Sequence, residues 1–316
     1  MKNNKAPKGM IVDLVTPMSD KGVLDIKGLD SLLTRVLPYA SGILLSGPNM
    51  GEGRALGESV KIELLKNALS FVQERIPLFF WITGERSEDV EGLLVRLEDV
   101  LNSSNYKGRL FWIDSPLYYH SNRDLVSHYE GLVSKTRHPF ILYNDPDLIK
   151  SLNESLKRNN IRTNIIEDLS KINNIRGLIF KGSLARAHNY QKALAGRAGF
   201  RAYDGDEGRF LEHPSMNGLL SIGANIAPRL WSMVTRASLG LLQEDERRQY
   251  NLNKMWETGA LLKDLMKIYN QNPVWIIKSA LFDLDVIDDP ICTGAIGPVG
   301  KEKSPLTELL LEHNVG

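Results

Sequence analysis

The chain has 316 residues, 39 basic and 38 acidic, and its net charge of +1 leaves no electrostatic footprint for nucleic acid or an anionic membrane surface. Its single cysteine, Cys292, excludes an intrachain disulfide and a thiolate metal cluster, and no window approaches the ~20 apolar residues of a membrane span. The basic start MKNNKAPKGM leads into an apolar run broken by Asp13 and Thr16, unlike a signal peptide, so the expectation is a cytoplasmic protein whose partner is a small neutral or anionic metabolite.

Short apolar runs alternate with helical patterns, the mark of βαβ units around a parallel sheet. The predicted strands cover 10–17, 41–47, 77–83, 109–115, 138–144, 175–181, 200–205 and 218–224. Between them, Asp25 precedes the periodic Leu29, Leu32, Leu33 and Val36. Ser87, with Glu88 and Asp89 in the first turn, opens DVEGLLVRLEDVL, and Ser121 caps RDLVSHYEGLVSK. The connection from Pro146 to Asn174, which includes SLNESLKRNNIRTN, is long and polar and is expected to be a lid or surface insertion. After Pro228 only helices are evident. Eight strands and then helices predict a (β/α)8 barrel over 1–228 with a C-terminal helical extension over 229–316 packed on it.

Barrel enzymes build their sites at the C-terminal ends of the strands. Lys181 ends IRGLIFK, sharing a face with Gly177 and Ile179, and partial desolvation there would favour the neutral amine that attacks a ketone. A lysine snorkelling from a strand end fits the same pattern. Tyr143 ends the neighbouring strand, ~4.8 Å away, and its phenol could move protons to and from a carbinolamine; a core tyrosine is the plain alternative. The loop Gly47-Pro48-Asn49-Met50-Gly51-Glu52-Gly53 lacks a P-loop ending and a dinucleotide spacing. Its N–H groups could converge on a carboxylate, or it is a tight turn. The six histidines (His120, His128, His138, His188, His213, His313) show no metal spacing and are expected at surfaces or caps. Phe79, Phe80, Trp81, Phe111 and Trp112 are expected in the core.

With these landmarks in order (VTPMSDKGVLD, the loop ending Gly51-Glu52, SPLYY, YNDP, GLIFKGS, GDE, GLLSIGANIAP), the chain resembles the dihydrodipicolinate synthase and N-acetylneuraminate lyase family, the pyruvate-dependent class I aldolases, over roughly 9–285. The resemblance implies Lys181 as the Schiff-base lysine and Tyr143 as the proton-transfer phenol. Tyr118 matches a tyrosine inserted into a neighbouring subunit's site, which implies a homo-oligomer, a dimer or a dimer of dimers. Asp206, Glu207 and Ser221 match positions lining the pocket for a polyhydroxylated substrate.

Two departures matter. Asn49 and Met50 stand where the family carries two hydroxyl residues, and asparagine cannot relay a proton as a hydroxyl does. Leu148 stands where dihydrodipicolinate synthases carry an arginine for the aldehyde substrate's carboxylate. Arg162 could replace it, although a solvated loop arginine fits its context better.

The leading expectation is therefore a class I aldolase or lyase acting on pyruvate or another 2-oxo acid with an aldehyde or sugar-acid partner. The covalent Schiff base on Lys181 stands in for any cofactor or metal. A 2-keto-3-deoxy sugar acid dehydratase or aldolase using the same lysine, and a non-catalytic oxo-acid-binding relative, are the alternatives. A sugar-phosphate enzyme is disfavoured, because Gly205-Asp206-Glu207 is acidic where a phosphate turn should welcome an anion.

Overall fold

The computed structural model describes residues 5–19, 22–152, 158–214, 216–293 and 304–315, the side chain of residue 249 excepted. In chain order the elements are β1 (Gly9–Asp13), α1 (Ile26–Val36), β2 (Gly42–Leu45), α2 (Glu58–Val72), β3 (Leu78–Trp81), α3 (Ser87–Ser103) and β4 (Leu110–Asp114). Then follow α4 (Leu125–Val133), β5 (Phe140–Asn144), α5 (Pro146–Lys150), α6 (Thr163–Leu169), β6 (Ile175–Phe180), α7 (Leu184–Ala193), β7 (Arg201–Asp204), α8 (Glu207–Glu212) and β8 (Gly218–Ser221). The helices α9 (Pro228–Ser238), α10 (Glu244–Gln249), α11 (Leu252–Tyr269), α12 (Pro273–Asp283) and α13 (Pro305–Glu312) complete the chain. The eight strands close into a parallel barrel in sequence order, and all eight predicted runs contain a strand. Among the described residues no helix is long and apolar enough to cross a membrane.

The chain divides into two compact units, Met1–Lys8 with Pro77–Leu220 and Gly9–Ile76 with Ser221–Gly316. In the first, the strands are buried on both faces, which is why they read as continuous apolar runs. Phe79 stacks on its register partner Phe111 at 5.0 Å between centroids, and Trp112 meets Phe80 edge-on. All five strand aromatics are buried as expected. In the second unit, Asp25 caps α1 by accepting from the Gly28 N–H at 2.9 Å, and Leu29, Leu32, Leu33 and Val36 form its buried stripe. Asn225 of the GANIAP segment is fully buried. It accepts from the Val15 N–H at 3.1 Å and donates to the Asp13 carbonyl at 2.8 Å, tying the chain after β8 to the end of β1. Arg35 of α1 donates to the Asn225 and Ile226 carbonyls of the same segment.

Two predicted helix starts move. α3 is capped one residue earlier, at Arg86, whose backbone N–H donates to the Asp89 carboxylate, and Ser87 is its first helical residue. α4 begins at Leu125, because the Ser121 hydroxyl accepts from Arg123 N–H in a local turn and Asp124 adopts a left-handed φ of 55° before the helix. The long connection after β5 is not a plain loop, since it holds α5 and α6. Asn144 receives the Ile161 N–H, and Tyr190 of α7 donates to the Ile161 carbonyl at 2.5 Å. Residues 153–157 of that connection, and 20–21 of the VTPMSDKGVLD landmark, lie outside the described residues.

Candidate active site

β5 and β6 pair in parallel with Tyr143 opposite Ile179 and Asn144 opposite Phe180. The ladder continues one step, as the Lys181 N–H donates to the Asn144 carbonyl at 3.0 Å. Register partners point to the same face and alternate residues share it. Tyr143, Asp145, Ile179 and Lys181 therefore lie on one face at the C-terminal ends of two adjacent strands. Tyr143 is buried, and Lys181, one residue beyond the strand, keeps 40% of its side-chain exposure, more than the predicted desolvation implied.

Asp145 is the carboxylate that faces that amine. Its carboxylate is 2% exposed and sets Oδ2 3.9 Å from Lys181 Nζ. Oδ1 is engaged elsewhere, accepting from the Asp147 and Leu148 N–H groups as the cap of α5. Burial raises the Asp145 carboxyl above the usual aspartate value, against the pull of Lys181 and of the two helix N–H groups.

The backbone around Lys181 is held from β7 and α8. Arg209 donates to the Phe180 carbonyl at 2.8 Å and to the Gly182 carbonyl, and its guanidinium lies 5.2 Å from the Phe180 ring centroid. It is fixed in turn by both carboxylate oxygens of Asp204, at 2.5 and 2.9 Å. Burial raises the Asp204 carboxyl even so. Gly205 donates to the Phe180 carbonyl, and a Cβ there would sit 3.1 Å from the Lys181 Cβ, so a side chain at this turn would crowd the lysine. Asp206 caps α8 through the Arg209 N–H at 2.9 Å, and Glu207 is buried in its first turn.

Tyr118 ends a short 3-10 turn, Pro116–Tyr118, after β4 and is half-buried. Beside it, the buried Asp114 carboxylate accepts from Thr83 (2.6 Å), Tyr119 (2.7 Å) and Tyr129 (2.6 Å). Tyr119 also meets His128 Nε2 at 3.0 Å, and burial lowers the His128 value. Elsewhere His138 Nδ1 donates to Glu98 at 2.9 Å. His128 and His138 are thus half-buried network members rather than surface residues, whereas His188, His213 and His313 are exposed.

In the second unit, the loop after β2 is tightly built. Ser46 and Glu52 adopt left-handed φ angles of 54° and 53°. A Cβ on Gly51 would lie 2.3 Å from the Gly47 nitrogen, so only glycine fits. Met50 is buried and Asn49 exposed; the Thr16 hydroxyl donates to the Gly51 carbonyl at 2.8 Å. Glu52 pairs with the fully buried Lys278 of α12 and accepts from the Thr293 N–H, while Lys278 also donates to the Ile291 carbonyl at 2.6 Å. Ser221, at the end of β8, is buried, and its hydroxyl accepts from the Ala224 N–H at 3.0 Å.

A profile of the dihydrodipicolinate synthetase family matches residues 6–314. The chain belongs to this family. Its members are lyases of the class I aldolase type that act on pyruvate, and the chain is an enzyme of that type. A curated relative, the 4-hydroxy-tetrahydrodipicolinate synthase of Shewanella piezotolerans, is 27% identical over 238 residues, 73% of this chain and 75% of the relative. The crystal structure of dihydrodipicolinate synthase from Aquifex aeolicus superposes with a TM-score of 0.77 at 21% identity, covering 98% of both chains. A prophage protein of the same family from E. coli K12, solved in complex with pyruvate, gives a TM-score of 0.80 at 18% identity over 98% of this chain and 99% of that one. At these identities the structural likeness carries the fold.

Within that family frame, the residues that sequence reasoning missed are Asp145, Arg209 and Lys278. Asp145 carried a usable signal: it sits in YNDP, two residues past Tyr143 and so on the same face. Arg209 and Lys278 lie on helices 28 and 226 positions from Lys181 and Glu52 respectively, and no local pattern announces such a pairing. Leu148 is buried in α5, while Arg162 is an exposed residue preceding α6.

Proposed function

We propose that this enzyme works through a Schiff base. The Lys181 amine captures the carbonyl carbon of a 2-oxo acid, pyruvate first among them, and Tyr143 transfers protons as the carbinolamine collapses to an iminium. The derived enamine then makes or breaks a carbon–carbon bond to an aldehyde or sugar-acid partner. The observation that carries this reading is the placement of Lys181 directly after β6 with Tyr143 on the same face of the adjacent β5. The iminium is the electron sink, so the reading calls for no further cofactor. In this proposal Gly47, Asn49, Met50, Tyr118, Asp206, Glu207 and Ser221 contribute to substrate binding, Tyr118 from a neighbouring copy in a cytoplasmic homodimer or homotetramer, on a barrel spanning 1–228 with 229–316 as its helical extension.

Leu148, buried and apolar, offers no partner for a second carboxylate. It favours a substrate other than that of a dihydrodipicolinate synthase, including a 2-keto-3-deoxy sugar acid processed by the same lysine. Borohydride reduction in the presence of pyruvate, followed by peptide mass spectrometry, tests the reading. The expected result is a reduced adduct on Lys181 that is absent from Lys181→Ala. A wild-type protein that yields no adduct with pyruvate or longer 2-oxo acids leaves only a non-catalytic, oxo-acid-binding role.

A further inference from the structure

We infer that Asp145 is a second acid–base residue of this site, acting on the nitrogen of Lys181 and pairing with the iminium once it forms. The inference rests on the Schiff-base reading above and goes beyond it, because it assigns a carboxylate to a step otherwise left to the lysine and the phenol.

The geometry divides the labour of the two carboxylate oxygens. Oδ1 is consumed by the two N–H groups that open α5. Oδ2 is left facing Lys181 Nζ at 3.9 Å, and the whole side chain is 2% exposed. A helix cap needs only one oxygen, and a serine or asparagine would supply it. Burying a full carboxylate costs free energy that the cap alone does not return, so its charge calls for a partner, and the cation that faces it is the reacting amine. The charged groups acting on Asp145 are Lys181 and Asp147, the first lowering and the second raising its proton affinity. Burial outweighs both and sets the carboxyl above the ordinary aspartate range, nearer to the pH at which a proton acceptor works.

The chemistry balances with these groups alone. Asp145 takes one proton from the Lys181 ammonium, giving the neutral amine and a carboxylic acid. The amine adds to the ketone carbon: the C–N bond forms, the C–O π bond breaks, and a second nitrogen proton passes to the oxygen by way of Tyr143. Asp145 then returns its proton to the carbinolamine hydroxyl, which departs as water. The products are an iminium that keeps the third nitrogen proton and a carboxylate beside it, so the ion pair at the start is replaced by an ion pair at the end.

The test is the rate of pyruvate adduct formation on the full-length protein, trapped with borohydride at a series of pH values. Asp145→Asn keeps an Oδ1 acceptor for the cap and removes the acid. Trapping is expected to slow by about 100-fold or more, with loss of the pH limb that the wild-type profile carries. Asp145→Ser, which also caps, provides a second variant should the asparagine form fold poorly. A purely structural role predicts wild-type trapping and an unchanged pH profile in either folded variant, and that result overturns the inference while leaving the Schiff base intact. Absence of any adduct on wild-type Lys181 removes both readings together.

Discussion

Arg209 is joined to Lys181 through the main chain: its guanidinium donates to the carbonyls of Phe180 and Gly182, the two residues flanking that lysine. The strand end that presents the amine is therefore fixed by a half-buried arginine on α8, itself clamped by the buried Asp204. Arg209→Met strips the Asp204 carboxylate of its partner in a buried setting, where breaking such a pair costs about 3–5 kcal/mol. Urea unfolding should show that loss, and the double variant Arg209→Met with Asp204→Asn should recover part of it, because no charge is then stranded. Equal destabilisation in the single and double variants would mean that Arg209 matters only through the two carbonyls.

The loop after β2 is expected to be equally intolerant. Gly51→Ala places a methyl 2.3 Å from the Gly47 nitrogen, a backbone atom that cannot step aside as a side-chain tip would. Overpacking of this kind costs about 1–3 kcal/mol, and the displaced loop should raise KM for the 2-oxo acid more than it lowers kcat. An alanine variant with wild-type KM and melting temperature would show that the loop adapts and that its conformation is not what holds the substrate.

The barrel was legible in the chain because strands buried on both faces read as short, near-continuous apolar runs, and eight of these alternate with helical patterns. The positions of Lys181 and Tyr143 at the ends of β6 and β5 were legible from the same runs, and the roles proposed for them follow from the chemistry that a barrel collects at its strand ends. Helix starts were less so. Ser121 looks like a cap, but its hydroxyl closes a turn two residues long and Asp124 in the left-handed region delays α4. The Glu52–Lys278 pair was invisible, since a lysine within the apolar PVWIIKSALFDL run carries no mark of the acid it meets 226 positions away. Long-range polar pairs are set by tertiary packing, which periodicity does not encode.

Glu98 on α3 is expected to make stability depend on pH. Burial alone would raise Glu98, yet hydrogen bonds from His138, Thr136 and Trp112 outweigh it and hold the carboxyl below its ordinary value. A carboxyl depressed in the folded state stabilises it at pH above the unfolded value, about 4.3, and loses that contribution as pH falls through the folded value. Glu98→Gln is expected to cost about 1 kcal/mol at pH 7, with the gap to wild type closing as pH drops from about 5 toward 3. A gap that persists unchanged to the acid end would assign the effect to packing.

Tyr143 gives the sharpest separation of chemistry from structure. It is buried, and Phe preserves its ring volume, so Tyr143→Phe should cost about 1 kcal/mol for the lost hydroxyl interaction. If the phenol moves protons at the carbinolamine, the same change should slow adduct formation on Lys181 by about 10²–10⁴-fold, far more than the stability loss explains. The measurement is trapping rate against melting temperature for the one variant. A melting temperature lowered with the trapping rate intact would return Tyr143 to the core, and the proton at the carbinolamine oxygen would then need another carrier on the shared face of β5 and β6, where Asp145 is the acid in reach of the amine.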